Sequence, residues 1–260
     1  MNSKQLLAAL AVARDAAAAA AEVLRHYWRC GVTVELKADA TPVTVADREA
    51  ERAIRKILKA GLPQAAIYGE EFGLDGERGA LLWLVDPLDG TKSFVRRTPF
   101  FSTQIALMQG DELLLGVSSA PLYGETMWAS TGAGAWFDGT RVRVADTSVM
   151  GAASISTGNI RTLTGDVRWD ALGALIRDSN RIRGYGDFCH YHLLARGSVD
   201  LVIESDVNIL DIAALAVIVR EAGGVFTDLD GAPPGLDTHS VLAGTPAIHA
   251  QALQRLRAAR

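Results

Sequence analysis

The stretch that decides the fold spans residues 81–94 and reads Leu81-Leu82-Trp83-Leu84-Val85-Asp86-Pro87-Leu88-Asp89-Gly90-Thr91-Lys92-Ser93-Phe94. Its first five residues are apolar without interruption, which predicts a strand buried on both faces. Pro87 has no amide hydrogen for a neighbouring strand, so we expect the strand to end there. Asp86 and Asp89 then lie at the strand end, beside a Gly90-Thr91 turn whose backbone N–H groups can face a ligand. Such a pair of acids can bind a divalent metal and a phosphate, although Asp, Pro and Gly also form ordinary loops.

The composition is that of a soluble globular protein, since 49% of the 260 residues are hydrophobic and the formal net charge is −4. An acidic chain argues against nucleic-acid binding, which usually needs a basic surface, so no nucleic-acid partner is expected. Cys30 and Cys189 are the only cysteines, which favours a reducing, cytoplasmic compartment.

The alanine-rich run at 16–21 has charged neighbours, so it predicts a helix over about Ser3–Trp28 and neither a targeting segment nor a membrane partner.

The six residues Asp86-Pro87-Leu88-Asp89-Gly90-Thr91 resemble the signature of the inositol monophosphatase family, magnesium-dependent phosphatases of small phosphate esters. The resemblance extends from Lys37 to Gly224. It includes three further motifs, Lys37-x-Asp39-x-Thr41-Pro42-Val43-Thr44-x-Ala46-Asp47, Gly69-Glu70-Glu71, and Asp211-Ile212-Ala213-Ala214 followed by Glu221-Ala222-Gly223-Gly224. It implies a layered αβαβα sandwich of α+β and α/β character, the fold of the inositol monophosphatase-like sugar phosphatases. Leu210 departs from the family, where tryptophan or tyrosine is commoner, and this affects packing beside the site.

The resemblance implies that acids from four separate segments converge on one site, namely Asp47, Glu70, Asp86, Asp89 and Asp211. Carboxylates that converge without a cation would repel one another, and oxygen ligands select hard ions, so Mg²⁺ is the expected cofactor. By resemblance, Glu70, Asp86 and the carbonyl of Leu88 hold one ion, and Asp86, Asp89 and Asp211 hold another, with two to three ions per site. The alternative for Asp47 and Asp211 is that each only caps a helix that it starts.

The resemblance also assigns the catalytic roles. The amides of Gly90 and Thr91 would bind phosphate oxygens, while Thr91, Glu70 and Asp47 direct a water for in-line attack on phosphorus. No covalent phosphoenzyme is needed.

The segment 184–204 corresponds to the substrate-facing part of the family, and here Asp187 and an aromatic residue follow a glycine. This variant is similar to the histidinol-phosphatase branch, whose substrate carries an amine and an imidazole. An acid pair, Asp187 and Glu204, would suit those cationic groups, although Asp187 could equally be a helix cap. His190 and His192 cannot face the same way on a helix, and we expect both on its surface and not at a zinc site.

Two competing functions stay open. One is a phosphatase of inositol phosphates or of 3′-phosphoadenosine nucleotides, with the same chemistry and another pocket. The other is a regulatory binding protein of this fold that contacts transcription machinery or RNA. Because family members are usually dimers, the expected partners are a small phosphate ester and a second copy of the chain.

The remaining pattern predicts two halves, 1–145 with an antiparallel sheet and most metal ligands, and 146–260 with the substrate-facing segment and Asp211. The elements that support this division are a strand at Val32–Lys37, a helix at Ala46–Lys59, an antiparallel meander from Phe101 to Val144 with an Asp138-Gly139 turn, a strand at Ser154–Thr157, a helix at Asp187–Ala195 and a buried helix started by Asp211.

Overall fold

The computed structural model of the protein describes residues 1–31, 34–36, 42–77 and 79–259. Its helices are α1 (Ser3–Cys30), α2 (Val45–Gly61), α3 (Thr91–Val95), α4 (Ile160–Leu163), α5 (Trp169–Asp178), α6 (Asp187–Ala195), α7 (Ile209–Glu221) and α8 (Pro246–Arg257). Its strands are β1 (Val34–Leu36), β2 (Pro42–Thr44), β3 (Ala66–Gly69), β4 (Gly73–Asp75), β5 (Leu81–Asp89), β6 (Ser102–Gln109), β7 (Glu112–Ala120), β8 (Glu125–Ser130), β9 (Gly134–Phe137), β10 (Thr140–Val142), β11 (Ser154–Thr157), β12 (Arg181–Arg183), β13 (Leu201–Ser205), β14 (Val225–Thr227) and β15 (Ser240–Gly244). Across these ranges, no helix combines the length and the apolar character that crossing a membrane requires.

Most strands belong to two mixed sheets. The larger has the order β10-β9-β8-β7-β6-β5-β3-β4, and the smaller has the order β12-β11-β13-β15-β14. In the larger sheet β5 pairs in parallel with β3 and antiparallel with β6, after which the chain continues as the predicted antiparallel meander. The Asp138-Gly139 turn joins β9 to β10 with positive φ at both residues, as a tight hairpin requires.

Helices cover both sheets in alternating layers. Helices α1 and α2 pack on one face of the larger sheet, and α6 and α7 lie between the two sheets. Helices α5 and α8 cover the far face of the smaller sheet. Three apolar cores hold these five layers together, and the central core contacts both sheets through α6 and α7. This arrangement confirms the predicted αβαβα sandwich. The division of the chain at residue 145 stays a prediction.

The central strand β5 is longer than the sequence predicts. The segment Leu82–Leu88 is buried, as expected, but the strand does not end at Pro87 and continues to Asp89. The prediction of an ending at Pro87 was wrong because the pairing with β6 shifts register between Asp86 and Asp89. A proline is tolerated inside a strand where such an irregularity removes the need for its hydrogen bond.

The helices α2 and α7 begin in the same way. The prediction that Asp47 and Asp211 open these helices was wrong by a few residues, because the N-caps are Thr44 and Asn208. Each aspartate is instead the third helical residue, and its carboxylate accepts a hydrogen bond from the backbone N–H of the cap. Both helix starts are capping boxes, which fix the directions of the two carboxylates.

Helix α7 packs against the larger sheet at backbone distance. A Cβ atom added to Gly116 of β7 would lie 2.6 Å from the Cα of Ala214 in α7, closer than real contacts allow. A glycine on the strand and alanines on the helix thus permit this approach. This close packing sets the distance between the larger sheet and α7, whose first turn carries Asp211.

Of the resemblance motif that begins at Lys37, the residues up to Thr41 lie outside the described part of the chain, as does part of the predicted Val32–Lys37 strand. The central residues of that predicted strand, Val34–Leu36, form β1 and pair with β2.

Candidate active site

Three carboxylates meet where β5 ends and α7 begins. Asp86, Asp89 and Asp211 each contribute one oxygen to a group whose members all lie within 4.8 Å of one another. Asp86 is buried, and its Oδ1 accepts a hydrogen bond from the N–H of Leu88 at 2.9 Å. Ser102 of β6 donates to Asp89 Oδ2 at 2.9 Å. The irregularity in β5 allows both acids of this strand to face Asp211.

These carboxylates are electrostatically unfavourable without a cation. Burial raises the pKa of Asp86 and of Asp89 well above the usual range, and the neighbouring acids raise both further. Burial likewise raises the pKa of Asp211 to about 7. Ligands made only of oxygen, held together at this spacing, fit a hard divalent ion. Such an ion would favour the charged form of each acid and offset the repulsion.

Glu70 follows the end of β3, the parallel neighbour of β5. Its backbone N–H donates to the carbonyl of Val85 at 3.1 Å, which places it beside the strand that carries Asp86. Burial raises the pKa of Asp86 most, and the charge of Glu70 and a hydrogen bond with the Glu70 side chain raise it further. The structure therefore brings Glu70 to the edge of the acid cluster.

Thr91 and Asp47 meet on another side of the cluster. The Thr91 hydroxyl lies 3.0 Å from Asp47 Oδ1 and 3.0 Å from the carbonyl oxygen of Leu88, and it can donate to either. Asp47 is buried, which raises its pKa, while hydrogen bonds from Thr44 and Thr91 oppose that shift. The Leu88 carbonyl and these two side chains thus adjoin the turn that follows Asp89.

Gly90 makes that turn possible. Its φ is +93°, and an added Cβ would lie 2.7 Å from the carbonyl oxygen of Phe100. A side chain is excluded there by conformation and by space, so the backbone between Asp89 and α3 can turn closely.

The two acids predicted for substrate, Asp187 and Glu204, line a cavity together with Asp89 and Asp211. Burial raises the pKa of Asp187 to about 6, and the charge of Glu204 adds to the shift. Asp206 also lines this cavity, so five of its described lining residues are carboxylates, and none of the described ones is cationic. The cavity therefore suits a ligand with a cationic end.

Side chains of α6 hold Glu204 by hydrogen bonds. Its Oε2 lies 3.0 Å from His190 Nε2 and accepts a hydrogen bond from the Tyr191 hydroxyl at 2.7 Å. The other ring nitrogen of His190, Nδ1, lies 3.3 Å from the hydroxyl of Ser156. Glu204 is 2% exposed, so these bonds offset the cost of burying its charge.

The predicted surface position of His190 and His192 was wrong, since both are buried. The physical reason is that α6 lies between the two sheets and is covered on both sides. The prediction that they cannot face the same way is confirmed by their partners. His190 contacts Glu204, whereas His192 Nε2 lies 2.8 Å from the Ser118 hydroxyl on β7.

Sequence reasoning missed several residues that line the cavity, namely Asn159, Tyr191 and Asp206. Asn159 and Asp206 follow the ends of β11 and β13, which are parallel neighbours. The carboxyl ends of parallel strands meet at one edge of a sheet, and this signal could have identified them. Asn159, Asp187 and Asp206 have positive φ without being glycine, and such backbone strain often marks functional sites.

The cluster of acids fits a divalent metal, and the layered fold is that of solved inositol monophosphatases, which indicates a metal-dependent phosphatase. The model of the inositol monophosphatase family matches residues 6–260, and the chain belongs to that family. It is a phosphoric monoester hydrolase whose substrate is a small phosphate ester.

Similar proteins are known from sequence and from structure. The chain is 38% identical to a histidinol-phosphatase of Streptomyces coelicolor, over 97% of this chain and 96% of the relative. It is 36% identical to a histidinol-phosphatase of Mycobacterium tuberculosis, over 99% of this chain and all of the relative. The solved structure of the inositol monophosphatase from Anabaena (Nostoc) sp. PCC 7120 superposes with a TM-score of 0.82 at 28% identity, covering 96% of this chain and 95% of that one.

Proposed function

We propose that the protein hydrolyses L-histidinol phosphate to L-histidinol and phosphate, with Mg²⁺ as the metal. The observation that carries this proposal is the acidic cavity, in which Asp187 and Glu204 add negative charge beyond the metal-binding cluster. A neutral polyol would not need this charge, whereas the amine and imidazole of histidinol would be attracted by it. Identity of 36–38% to two histidinol-phosphatases supports the same substrate.

The phosphate end would lie at the acid cluster. Glu70, Asp86 and the Leu88 carbonyl would hold one Mg²⁺ ion, and Asp86, Asp89 and Asp211 another, with two to three ions in all. Bound Mg²⁺ would polarise the phosphoryl group and neutralise charge on its oxygens.

The amides of Gly90 and Thr91 would donate to phosphate oxygens. The turn at Gly90, which has no room for a side chain, allows a phosphate to approach the backbone closely.

The side chains of Thr91 and Asp47 would orient the attacking water. A threonine hydroxyl has one proton, and here it is directed to Asp47 Oδ1 or to the Leu88 carbonyl. The lone pairs of the Thr91 oxygen are then left to accept a hydrogen bond from water. Asp47 holds the hydroxyl in this orientation because Thr44 already fixes its other oxygen at 2.6 Å, and Glu70 would share in directing the water.

The cationic end would lie against Asp187 and Glu204. The His190 and Tyr191 side chains bind one oxygen of Glu204, Oε2, and thereby fix the direction of the other, Oε1. A cationic donor would bind that oxygen with a charge-assisted hydrogen bond.

The test is a panel of phosphate esters assayed at one Mg²⁺ concentration. L-histidinol phosphate should give the highest kcat/KM, above inositol 1-phosphate and 3′-phosphoadenosine 5′-phosphate. A preference for inositol 1-phosphate, the alternative suggested by the inositol monophosphatase structure, would overturn the substrate while leaving the phosphatase. Binding of RNA above background, together with weak turnover of every ester, would favour the regulatory binding protein instead.

We also propose a cytoplasmic homodimer. Light scattering of the purified protein tests the dimer, and a mass near 27.7 kDa, that of one chain, would contradict it.

A further inference from the structure

Glu51 is a buried acid that the proposed chemistry does not use. It lies one helical turn after Asp47 on α2, and its side chain is fully buried. A buried carboxylate is costly unless it is paired and hydrogen-bonded. Its partners therefore show what it does in the fold.

Those partners belong to the segment that follows Glu70. Glu51 Oε2 accepts a hydrogen bond from the N–H of Glu71 at 2.7 Å, and Oε1 lies 3.4 Å from the N–H of Phe72. On the other side of Glu70, strand pairing and the bond from its own N–H to Val85 hold the backbone. The backbone of Glu70 is thus held by β5 before it and by Glu51 after it.

Gly69 leaves room for this contact. A Cβ atom added to Gly69 would overlap the carboxylate of Glu51. The φ of Gly69 is not positive, so the position needs glycine for space and not for conformation. The carboxylate of Glu51 therefore packs directly on the backbone that precedes Glu70.

Arg55 extends the same face of α2 by one further turn. Its Nε donates to Glu51 Oε1 at 2.7 Å, and its Nη2 donates to the carbonyl of Gly73 at 2.6 Å. Asp47, Glu51 and Arg55 are spaced four residues apart, so they share one helix face. This face holds the segment 69–73 against the helix that also carries Asp47.

We propose that Glu51 is a positioning residue, which holds Glu70 in the geometry that binds metal and keeps it in register with Asp47. The inference rests on the proposed role of Glu70 as a metal ligand. Residues that orient metal ligands commonly contribute 10–100-fold to metal affinity. Glu51 does so through the backbone, by way of the amide of Glu71.

The experiment uses E51Q, which keeps the size of the side chain but replaces one of its two acceptor oxygens with an NH2 group, so the N–H groups of Glu71, Phe72 and Arg55 cannot all keep their acceptors. The matched control is E49Q, the same change at an exposed position of α2. Calorimetric titration of Mg²⁺ into the metal-free protein should show a dissociation constant about tenfold higher for E51Q than for wild type. The E49Q control should match wild type. Amide hydrogen exchange at Glu71 should accelerate in E51Q only.

A second variant, G69A, reaches the same contact from the other side, because its methyl group displaces the Glu51 carboxylate. It should raise the Mg²⁺ dissociation constant similarly, and the double variant should be no worse than either single one. If E51Q does not fold, the Mg²⁺ dissociation constant of G69A, which retains Glu51, tests the proposal instead. Unchanged Mg²⁺ affinity in folded E51Q or G69A would overturn the inference. The variant E70Q separates the two proposals, since unchanged affinity there would mean that the proposed metal site is wrong.

Discussion

The Thr91 hydroxyl lies 3.0 Å from Asp47 Oδ1, although 44 residues separate the two in sequence. The contact joins the first turn of α2 to the turn after β5. Because Thr44 binds the other oxygen of Asp47, the position of the Thr91 hydroxyl is set by a helix cap.

Thr91→Ala should therefore impair turnover more than binding. Without the hydroxyl the attacking water loses its orientation, and kcat should fall by roughly 100-fold or more, while KM changes little. Steady-state kinetics measure both constants. Thr98→Ala, at an exposed position in the same segment, is the control and should behave as wild type. A normal kcat with only a raised KM would contradict the orienting role.

Asp86→Asn should abolish activity without unfolding the protein. Loss of a metal ligand should exceed the 10–100-fold effects of outer residues, and EDTA should inactivate wild type reversibly. In EDTA the variant should melt at the same temperature as wild type or higher, because it removes repulsion among the acids that raise the pKa of Asp86. Circular dichroism shows whether the variant is folded, and calorimetry measures its melting temperature. Full activity of wild type in EDTA would exclude the metal mechanism.

Asp187→Asn and Glu204→Gln should change the substrate preference. A charge-assisted hydrogen bond contributes about 1.5–3 kcal/mol, so kcat/KM for L-histidinol phosphate should fall by about one to two orders of magnitude. Glycerol 2-phosphate, which has no cationic end, is the internal control and should be hydrolysed as before. Equal loss of both esters in both variants would remove the histidinol assignment.

Gly116→Ala should destabilise the fold although the residue lies in no site. The added methyl group meets backbone atoms of Ala214, which cannot rotate away, so overpacking should lower the free energy of unfolding by about 1–3 kcal/mol. Urea denaturation measures it. Gly124→Ala is a poor control because its φ is positive, whereas Gly235→Ala meets nothing within 4 Å and should be neutral. Unchanged stability in Gly116→Ala would mean that α7 does not pack at this depth.

The local elements could be predicted from sequence because their signals are local. The apolar run Leu81–Val85 predicts a buried strand, Asp138-Gly139 predicts a hairpin, and the helix at Asp187–Ala195 has its predicted bounds. The convergence of Asp86, Asp89 and Asp211 could be anticipated only from a family motif, because no periodicity relates β5 to α7. The chemical roles of these residues stay predictions.

What could not be predicted depends on partners distant in the chain. His190 and His192 have the sequence pattern of a helix surface, and only the two sheets that enclose α6 bury them. The contact that fixes Glu51 is 20 residues away at Glu71, and no local pattern of acids distinguishes it from a solvated side chain. The continuation of β5 past Pro87 depends on the register of β6, which the strand itself does not specify.

The capping boxes of α2 and α7 have an evolutionary consequence. Asp47 and Asp211 occupy the third helical position, where Glu and Gln satisfy a capping box equally well. A change from Asp to Glu there would preserve the helix start but add a methylene, moving the carboxylate by about 1.5 Å. With the roles proposed for these two carboxylates, selection for folding alone would thus tolerate a substitution that selection for hydrolysis would reject. A lineage that no longer needed turnover could drift through this single step, keep its shape, and become a protein that only binds.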